Sequence, residues 1–274
     1  MEIGIIRMIQ SLRSSFFDSF FEGVTMLGEE MVYILIFSIA YWCFNKREAI
    51  KMILIFLLSA MVNNFLKGVI MRDRPVGVEG VFSLREETAT GSSMPSGHTQ
   101  LATTFYYYLI LKFRKKWVTI VGSVLIVLVA LSRIYLGVHW PSDVLVGIVV
   151  GIVTVHLGIV LFKGYSFKSL LITLLVSNLL LIPVITDDLV VSVALITGAI
   201  VGVIVEEKYV QFSTKTTHIR QLVKVLIGLV VVILIKEGVK IITPDIHLFD
   251  YVRYLLIGLW VSAGAPYVYK LLKL

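Results

Sequence analysis

Long apolar segments recur along this chain of 274 residues, and they limit its possible folds more than any other feature. The chain is 58% apolar and only 16% charged, with a mean hydropathy of +0.92. Soluble domains average about 45–50% apolar and about 25% charged residues. Because an α-helix satisfies its backbone hydrogen bonds internally, it is the element that such a chain can place in a bilayer. The sequence therefore predicts an all-α, polytopic transmembrane helical bundle.

Nine segments approach the ~20 apolar residues that a helix needs to cross the hydrocarbon core. They cover residues 24–44, 49–70, 98–112, 117–137, 143–162, 168–185, 189–205, 221–242 and 251–270. Ahead of them, apolar residues recur at helical spacing over residues 1–22, from Ile5 and Ile9 to Leu12, Phe16 and Phe20. This pattern predicts one amphipathic helix. Such a helix lies in the membrane interface or packs against the bundle, and both alternatives stay open.

Basic residues are distributed unevenly between alternate loops. One set of loops and the C-terminal tail hold fourteen lysines and arginines, whereas the other set holds six. Cytoplasmic loops carry the excess of basic residues, so the net charge of +7 indicates membrane orientation rather than nucleic-acid binding. The N-terminus, loop 71–97 and the turn 132–143 are predicted on the non-cytoplasmic side, and the C-terminus in the cytoplasm. The short length and lack of tails favour a bacterial plasma membrane.

Three polar clusters interrupt the apolar pattern, and all three map to the non-cytoplasmic side. They read KGVIMRDRP at residues 67–75, SSMPSGHT at residues 92–99 and SRIYLGVHWPSD at residues 132–143. Lys67, Arg74 and Arg133 supply three cations, two of them planar forks that suit the oxygens of a phosphate. Ser96 and Gly97 precede a predicted helix, where backbone N–H groups bind anions. The clusters together predict a phosphate site.

Two of the five histidines, His98 and His139, fall in these clusters. Phosphoryl transfer from an ester needs a nucleophile and a proton donor for the leaving oxygen, and imidazoles suit both roles. Asp143 follows His139 by four residues. A carboxylate at that spacing can accept the proton of one ring nitrogen and leave the other nitrogen free for attack.

The three clusters resemble the signature of the type 2 phosphatidic acid phosphatase superfamily, which includes glucose-6-phosphatase and the sphingosine-1-phosphate phosphatases. The signature reads K-x6-R-P, then P-S-G-H, then S-R-x5-H-x3-D. It is met by Lys67 to Arg74–Pro75, by Pro95 to His98, and by Ser132–Arg133 to His139 and Asp143. The resemblance covers residues 49–162.

The resemblance implies a role for each matching residue. His139 is expected to form a phosphohistidine, with Asp143 orienting its ring. His98 is expected to act first as general acid and then as base. The remaining matches are expected to bind the phosphate: Lys67, Arg74, Arg133, Ser96 and Gly97. No metal or other cofactor is implied. Arg72 and Asp73 lie in the spacer and are not family positions.

The predicted organisation is an interfacial helix at residues 1–22, a catalytic core at 23–165 and additional transmembrane helices at 166–274. A site at the membrane surface suits a lipid phosphate monoester, such as phosphatidic acid, phosphatidylglycerol phosphate or a sphingoid-base phosphate. Undecaprenyl or another polyprenyl diphosphate is the main alternative. Phosphotransfer to another acceptor, sugar phosphate hydrolysis, transport and lipid scrambling are ranked lower. Transport or scrambling would use polar groups in the spans, namely His156, Asn178, Pro183 and the pair Lys236–Glu237.

Overall fold

The computed structural model describes residues 1–86, 89, 91–164, 166–244 and 246–274, and residues 30, 31 and 242 are described by their backbone alone. The described residues contain no β-strand, which confirms the all-α class. The helices are α1 Glu2–Gln10, α2 Ser15–Met26, α3 Glu30–Cys43, α4 Lys46–Ile70, α5 Gly97–Phe113, α6 Lys116–Tyr135, α7 Pro141–Leu161, α8 Phe167–Leu179, α9 Asp187–Val205, α10 His218–Ile242, α11 His247–Leu259 and α12 Ala265–Leu271. π-helical turns, Glu206–Val210 and Trp260–Gly264, follow α9 and α11.

Four of these helices are long and apolar enough to cross a membrane: α4, α6, α7, and α9 with its π-helical turn. Shorter apolar helices occupy Val32–Cys43 and Phe167–Leu179. At about 1.5 Å per residue, a helix of 20 residues covers the ~30 Å hydrocarbon core. The chain is therefore an integral membrane protein, as the apolar segments predicted.

The N-terminal segment forms two helices rather than the single helix expected over residues 1–22. The chain leaves the helical conformation before Ser14, whose hydroxyl accepts a hydrogen bond from the Phe17 amide and caps α2. This break changes the helical phase. Ile6, which is not one of the apolar residues predicted at helical spacing, is fully buried with Ala130 and Ile134 of α6. The first helix thus packs against the bundle, one of the two alternatives left open.

The chain divides into two compact units, one of residues 1–32 and 62–157 and the other of residues 33–61 and 158–274. In the first unit, α5 and α7 approach closely because α7 carries glycines. A Cβ atom on Gly147 would lie 2.9 Å from the carbonyl oxygen of Ser96, and one on Gly151 equally close to that of Gln100. This contact brings the first turn of α7 against the start of α5.

The second unit contains a similarly close pair, α9 and α11. A Cβ atom on Gly258 would lie 2.6 Å from the carbonyl oxygen of Leu195. At the π-helical turn 260–264, Tyr41 and Trp42 donate to the carbonyls of Ser262 and Val261 at 2.7 and 2.9 Å. These bonds satisfy carbonyl groups at an irregular part of the helix, as a low-dielectric environment requires.

Candidate active site

Arg74 lies just after α4 and directs its guanidinium at the ring of His139. Its Nη1 donates to the carbonyl of Val138 at 2.9 Å and lies 3.1 Å from His139 Nε2. The carbonyls of Gly91 and Ser92 hold its Nε and Nη2 at 3.0 and 3.2 Å. Because a guanidinium can only donate, His139 Nε2 must accept this bond. The hydrogen-bond network thus assigns the proton of the neutral ring to Nδ1.

The other ring nitrogen of His139 faces a carboxylate. Nδ1 lies 3.5 Å from Asp143 Oδ2 and 3.4 Å from the hydroxyl of Ser93. The same Oδ2 accepts hydrogen bonds from the Ser93 hydroxyl and, at 2.8 Å, from the Trp140 amide. At 3.5 Å the contact between His139 Nδ1 and Asp143 Oδ2 is longer than a normal hydrogen bond. The four-residue spacing brings the carboxylate to the Nδ1 side of the ring, and Ser93 joins the pair.

The second oxygen of Asp143 belongs to a network that extends to the N-terminus. Arg72 Nη1 donates to Asp143 Oδ1 at 2.8 Å and to the Ser142 hydroxyl at 2.5 Å. Arg72 Nη2 donates to Glu2 Oε2 at 2.6 Å. Sequence reasoning left Arg72 without a defined role and missed Glu2. The charge of Arg72 beside the first motif was the only sequence signal of this network. Glu2 gave none, because it lies 70 residues from Arg72 in the sequence.

The P-S-G-H turn lies against the start of α7 and under Lys67. The Ser96 amide donates to the carbonyl of Asp143 at 3.0 Å. A Cβ atom on Gly97 would lie 3.9 Å from Lys67 Nζ and 3.3 Å from Asn63 Oδ1. Lys67, in the last turn of α4, therefore reaches the N-terminus of α5. A helix N-terminus and an ammonium group both favour an anion at this position.

Arg133 and His98 present buried nitrogens that have no hydrogen-bond partner within the described residues. Arg133 is fully buried, and its Nη1 donates to the Thr25 hydroxyl at 2.7 Å. Its Nε and Nη2 have no such partner, and neither has Nε2 of His98. An unsatisfied buried polar atom costs about 1–3 kcal/mol, so it calls for an explanation such as a ligand. Two donors on one edge of a guanidinium suit two oxygens of a phosphate.

Three cationic side chains act electrostatically on the ring of His139. Burial lowers the pKa of His139 well below its ordinary value, and the charges of Arg133, Arg74 and Lys67 lower this pKa further. The ring is consequently neutral at physiological pH, with Nε2 unprotonated. A neutral ring nitrogen is a competent nucleophile or base.

All eight residues predicted for the site lie in the first unit: Lys67, Arg74, Ser96, Gly97, His98, Arg133, His139 and Asp143. Direct contacts connect Arg74 with His139, Asp143 with Ser96, and Gly97 with Lys67. The charge of Arg133 also acts on His98. The structure therefore brings together three clusters that are separate in the sequence.

Polar groups considered for transport make local contacts instead. In the first unit, His156 Nε2 lies 3.0 Å from the Tyr107 hydroxyl. In the second unit, Asn178 accepts from the Tyr251 hydroxyl at 2.7 Å and donates to Thr197 at 3.0 Å. His156 and Asn178 therefore act as packing residues whose polar groups are hydrogen-bonded to neighbouring helices.

Comparison with known families agrees with the three clusters. The family model of the PAP2 superfamily matches residues 48–166. A second model, described as the transmembrane extension of PAP2 superfamily phosphatases, matches residues 190–274. The two models together cover both the clusters and the helices that follow them.

Three curated proteins are similar to parts of the chain. A probable sphingosine-1-phosphate phosphatase of Dictyostelium discoideum is 30% identical over 56% of this chain and 41% of its own length. Undecaprenyl-diphosphatase of Sulfolobus acidocaldarius is 33% identical over 45% of this chain and 60% of its own length. Phosphatidylglycerophosphatase B of Bacillus subtilis is 31% identical over 57% of this chain and 79% of its own length. The chain thus spans less than two thirds of the first two relatives.

Two solved structures share the fold. The first transmembrane PAP2-type phosphatidylglycerolphosphate phosphatase from Bacillus subtilis has a TM-score of 0.50 at 27% identity, covering 61% of this chain and 86% of its own. Aquifex aeolicus LpxE has a TM-score of 0.52 at 27% identity, covering 58% of this chain and 94% of its own. Together with the matched family models, these likenesses show that the chain belongs to the PAP2 superfamily.

Proposed function

We propose that this protein is a membrane phosphatase that hydrolyses a lipid phosphate monoester through a phosphohistidine intermediate. The observation that carries the proposal is the environment of His139. Its Nε2 is unprotonated beside Arg74, its Nδ1 faces Asp143, and its ring is buried. Membership of a family whose relatives are named as phosphatases supports the same conclusion.

The first step forms the phosphohistidine. The lone pair of His139 Nε2 attacks phosphorus while the bond between phosphorus and the ester oxygen breaks. The leaving alkoxide takes a proton from His98, and the Nδ1 proton of His139 is stabilised by Asp143. Arg74 must transfer its hydrogen bond from Nε2 to a phosphate oxygen as the ester enters the site.

The second step releases phosphate. His98, now neutral, takes a proton from water, and the resulting hydroxide attacks the phosphorus of the phosphohistidine. The bond between nitrogen and phosphorus breaks, and its electron pair returns to Nε2. Throughout both steps, charge on the phosphoryl oxygens is stabilised by preorganised donors. These donors are Lys67, Arg74, Arg133, Ser96 and the Gly97 amide.

The relatives support a lipid substrate but name different lipids. Sphingosine-1-phosphate phosphatase and phosphatidylglycerophosphatase B favour a phosphate monoester. The similarity to undecaprenyl-diphosphatase favours a polyprenyl diphosphate as the second candidate. The similarity to human glucose-6-phosphatase 3 keeps a sugar phosphate as a lower-ranked alternative. Phosphotransfer, transport and scrambling are ranked lower as well.

The proposed topology has nine transmembrane spans, with the N-terminus and the active site on the non-cytoplasmic side of a bacterial plasma membrane. The C-terminus lies in the cytoplasm. Residues 23–165 form the catalytic part, and residues 166–274 add spans to the same domain. The exposed apolar residues of α2 and of the segment between α1 and α2 lie in the membrane interface. This last point is supported by Leu12 and Phe16, whose side chains are 62% and 71% exposed.

A phosphate-release panel with purified protein tests the proposed function. The substrates are phosphatidic acid, lysophosphatidic acid, phosphatidylglycerol phosphate, a sphingoid-base phosphate, undecaprenyl diphosphate and glucose 6-phosphate, each with and without EDTA. We expect release from at least one lipid monoester, unaffected by EDTA and at least tenfold faster than from glucose 6-phosphate. The variant His139→Ala should insert in the membrane but release no phosphate. Near-normal release by this variant would show that the assigned nucleophile is wrong, and a wild type inactive on every substrate would refute the phosphatase.

A further inference from the structure

Glu2 contacts two residues that adjoin Asp143, although it lies near the start of the sequence and outside the predicted catalytic core. Its Oε2 accepts from Arg72 Nη2 at 2.6 Å. Its Oε1 accepts from the Ser142 amide at 3.0 Å and from the Ser142 hydroxyl at 2.7 Å. Both carboxylate oxygens are therefore occupied by residues next to the site, and none of these contacts is expected from the family motifs.

Arg72 is shared between two carboxylates. Its Nη2 is held by Glu2, and its Nη1 donates to Asp143 Oδ1 at 2.8 Å. Its guanidinium carbon also lies 5.5 Å from the centre of the Trp140 ring, within the range of a cation–π contact. Because Glu2 binds Nη2 of Arg72, only Nη1 of the guanidinium donates to Asp143.

Ser142 links Glu2 to the same carboxylate through the backbone. Its amide is among the first N–H groups of α7, which have no acceptor within the helix. Glu2 supplies that acceptor from α1, and a negative charge at a helix N-terminus is favourable. The first turn of α7 carries Asp143, so Glu2 fixes the element that places it.

We propose that Glu2 is a positioning residue for the phosphatase site, acting through Arg72 and Ser142 to hold Asp143 against His139. This inference rests on the proposed function. Without the Glu2 carboxylate, the Arg72 fork is released to bind Asp143 through both nitrogens. Such bidentate pairing would pull the carboxylate from His139 Nδ1 and weaken its hold on the ring.

Other contacts dock α1 independently of Glu2, which makes the idea testable. Gln10 Nε2 donates to the carbonyls of Phe82 and Tyr135 at 2.6 and 2.8 Å. Arg7 donates to the carbonyl of Glu79 at 2.6 Å, and Ile6 is buried in the core of the first unit. A substitution at Glu2 should therefore leave the first helix in place.

The test compares Glu2→Gln, Arg72→Gln and the double variant in full-length protein, using phosphatidic acid or the fastest substrate of the panel in detergent micelles. We expect Glu2→Gln to lower kcat by about five- to tenfold, the size expected for one charge-assisted hydrogen bond, with KM changed less than twofold. In the Arg72→Gln background, Glu2→Gln should lower kcat by less than it does in the wild type, because only the Ser142 contact is then lost and residues in one network are not additive. Glu2→Asp should restore part of the rate.

Glu22→Gln serves as the control, because it removes the same charge from α2. Among the described residues, no hydrogen bond or ion pair joins Glu22 to Arg72, Ser142 or Asp143. Its kcat should match that of the wild type. If Arg72→Gln does not fold, Arg72→Lys replaces it in the cycle, since it keeps the charge but not the fork.

The outcomes separate this inference from the proposed function. A wild type that releases phosphate, with Glu2→Gln within twofold of its kcat, would overturn the role of Glu2 and leave the phosphatase intact. If Glu2→Gln lowers kcat by the same factor in the wild-type and Arg72→Gln backgrounds, the role of Glu2 is also overturned, because its effect does not pass through Arg72. A wild type that is inactive on the whole panel would overturn both.

Discussion

The imidazole of His139 is buried beside cations, and this environment determines its protonation. Arg74 contacts Nε2 directly, while the charges of Arg133 and Lys67 act from farther away. Each of these cations would also attract a phosphate, so the same charges that bind an anion keep the ring neutral. In the proposed phosphatase, substrate binding and the protonation of His139 would therefore be coupled.

Because the folded protein keeps the His139 ring neutral, it should lose stability as the pH falls. Burial and the nearby cations hold the pKa of His139 well below the ordinary 6.5 in the folded state. The unfolded chain therefore binds a proton that the folded chain does not, in the window from pH 6.5 down to the folded pKa. The free energy of unfolding should fall by up to about 1.4 kcal/mol per pH unit in that window.

Melting temperatures between pH 5.5 and 7.5 would check this expectation. In His139→Gln, which cannot take up the proton, the melting temperature should depend less on pH than in the wild type. Parallel curves for the two proteins would mean that His139 titrates normally in the folded state.

Arg133 is expected to be sensitive even to a lysine substitution. Arg133→Lys keeps the charge but loses the fork whose Nε and Nη2 have no protein partner among the described residues. We expect kcat/KM for phosphate release to fall by about 10²-fold, the typical loss when one preorganised donor is removed. Arg13→Lys is the matched control, because Arg13 pairs with Asp18 and covers the ring of Phe82. A loss below threefold for Arg133→Lys would argue against direct phosphate contact.

Among the helices, the close approach of α5 and α7 has the clearest consequence for the site. Asp143 lies in the first turn of α7 and Ser96 precedes α5, so the distance between these helices sets the distance between two of the polar clusters. Glycine allows that distance, because a side chain at Gly147 would meet the Ser96 carbonyl. The glycines of α7 are therefore part of the positioning of the site.

Gly147→Ala should separate the helices and impair the site. The added Cβ would lie 2.9 Å from the Ser96 carbonyl oxygen, so we expect a loss of about 1–3 kcal/mol of stability and a lower rate of phosphate release. Gly23→Ala is the control, since nothing lies within 4 Å of its Cβ position and alanine favours a helix by up to about 1 kcal/mol. Melting temperature and kcat would be measured for both. An unchanged Gly147→Ala would show that the two helices adjust without cost.

The N-terminal helices show how a helix break limits pattern reading. A single stripe through Ile5, Ile9 and Leu12 was predicted to continue to Phe16. The chain instead breaks before Ser14, and α2 begins with a new phase. Ile6 became the buried residue of α1, while Leu12 and Phe16 are exposed. Periodicity indicated helix correctly, but it could not show which face would find a partner.

For the protein as a membrane-embedded chain, the distribution of basic residues is the main guide to orientation. Short loops that carry lysine and arginine near the ends of the spans tend to stay on the cytoplasmic side. Loop 71–97 carries residues of the site and is predicted outside, whereas the segment between α9 and α10 carries Lys208 and Lys215 and is predicted inside. The proposed topology can be tested at these two positions.

Labelling with a membrane-impermeant maleimide would test that orientation. In a Cys43→Ser background, which removes the one cysteine, Glu79→Cys should react in intact cells. Lys215→Cys should react only after the membrane is permeabilised. Both side chains are exposed, so burial would not account for a difference. The reverse labelling pattern would invert the proposed topology and move the site to the cytoplasmic face.

The fold class could be read from the sequence, and the candidate site residues could be predicted from it, because both depend on local rules. The length of the apolar segments determines that helices cross the membrane. The four-residue spacing of His139 and Asp143 brings their side chains close together at the start of a helix. Three ordered motifs then indicated the family, which both family models confirmed.

The partners of the site residues depended on contacts between distant segments. Ser93 joins Asp143, Thr25 holds Arg133, and Glu2 reaches Arg72 across 70 residues of sequence. None of these pairs follows from spacing or composition, because each arises where loops and helices pack together. Burial of Ile6 and the bonds of Gln10 dock α1, and that docking is the physical reason why Glu2 lies beside the site.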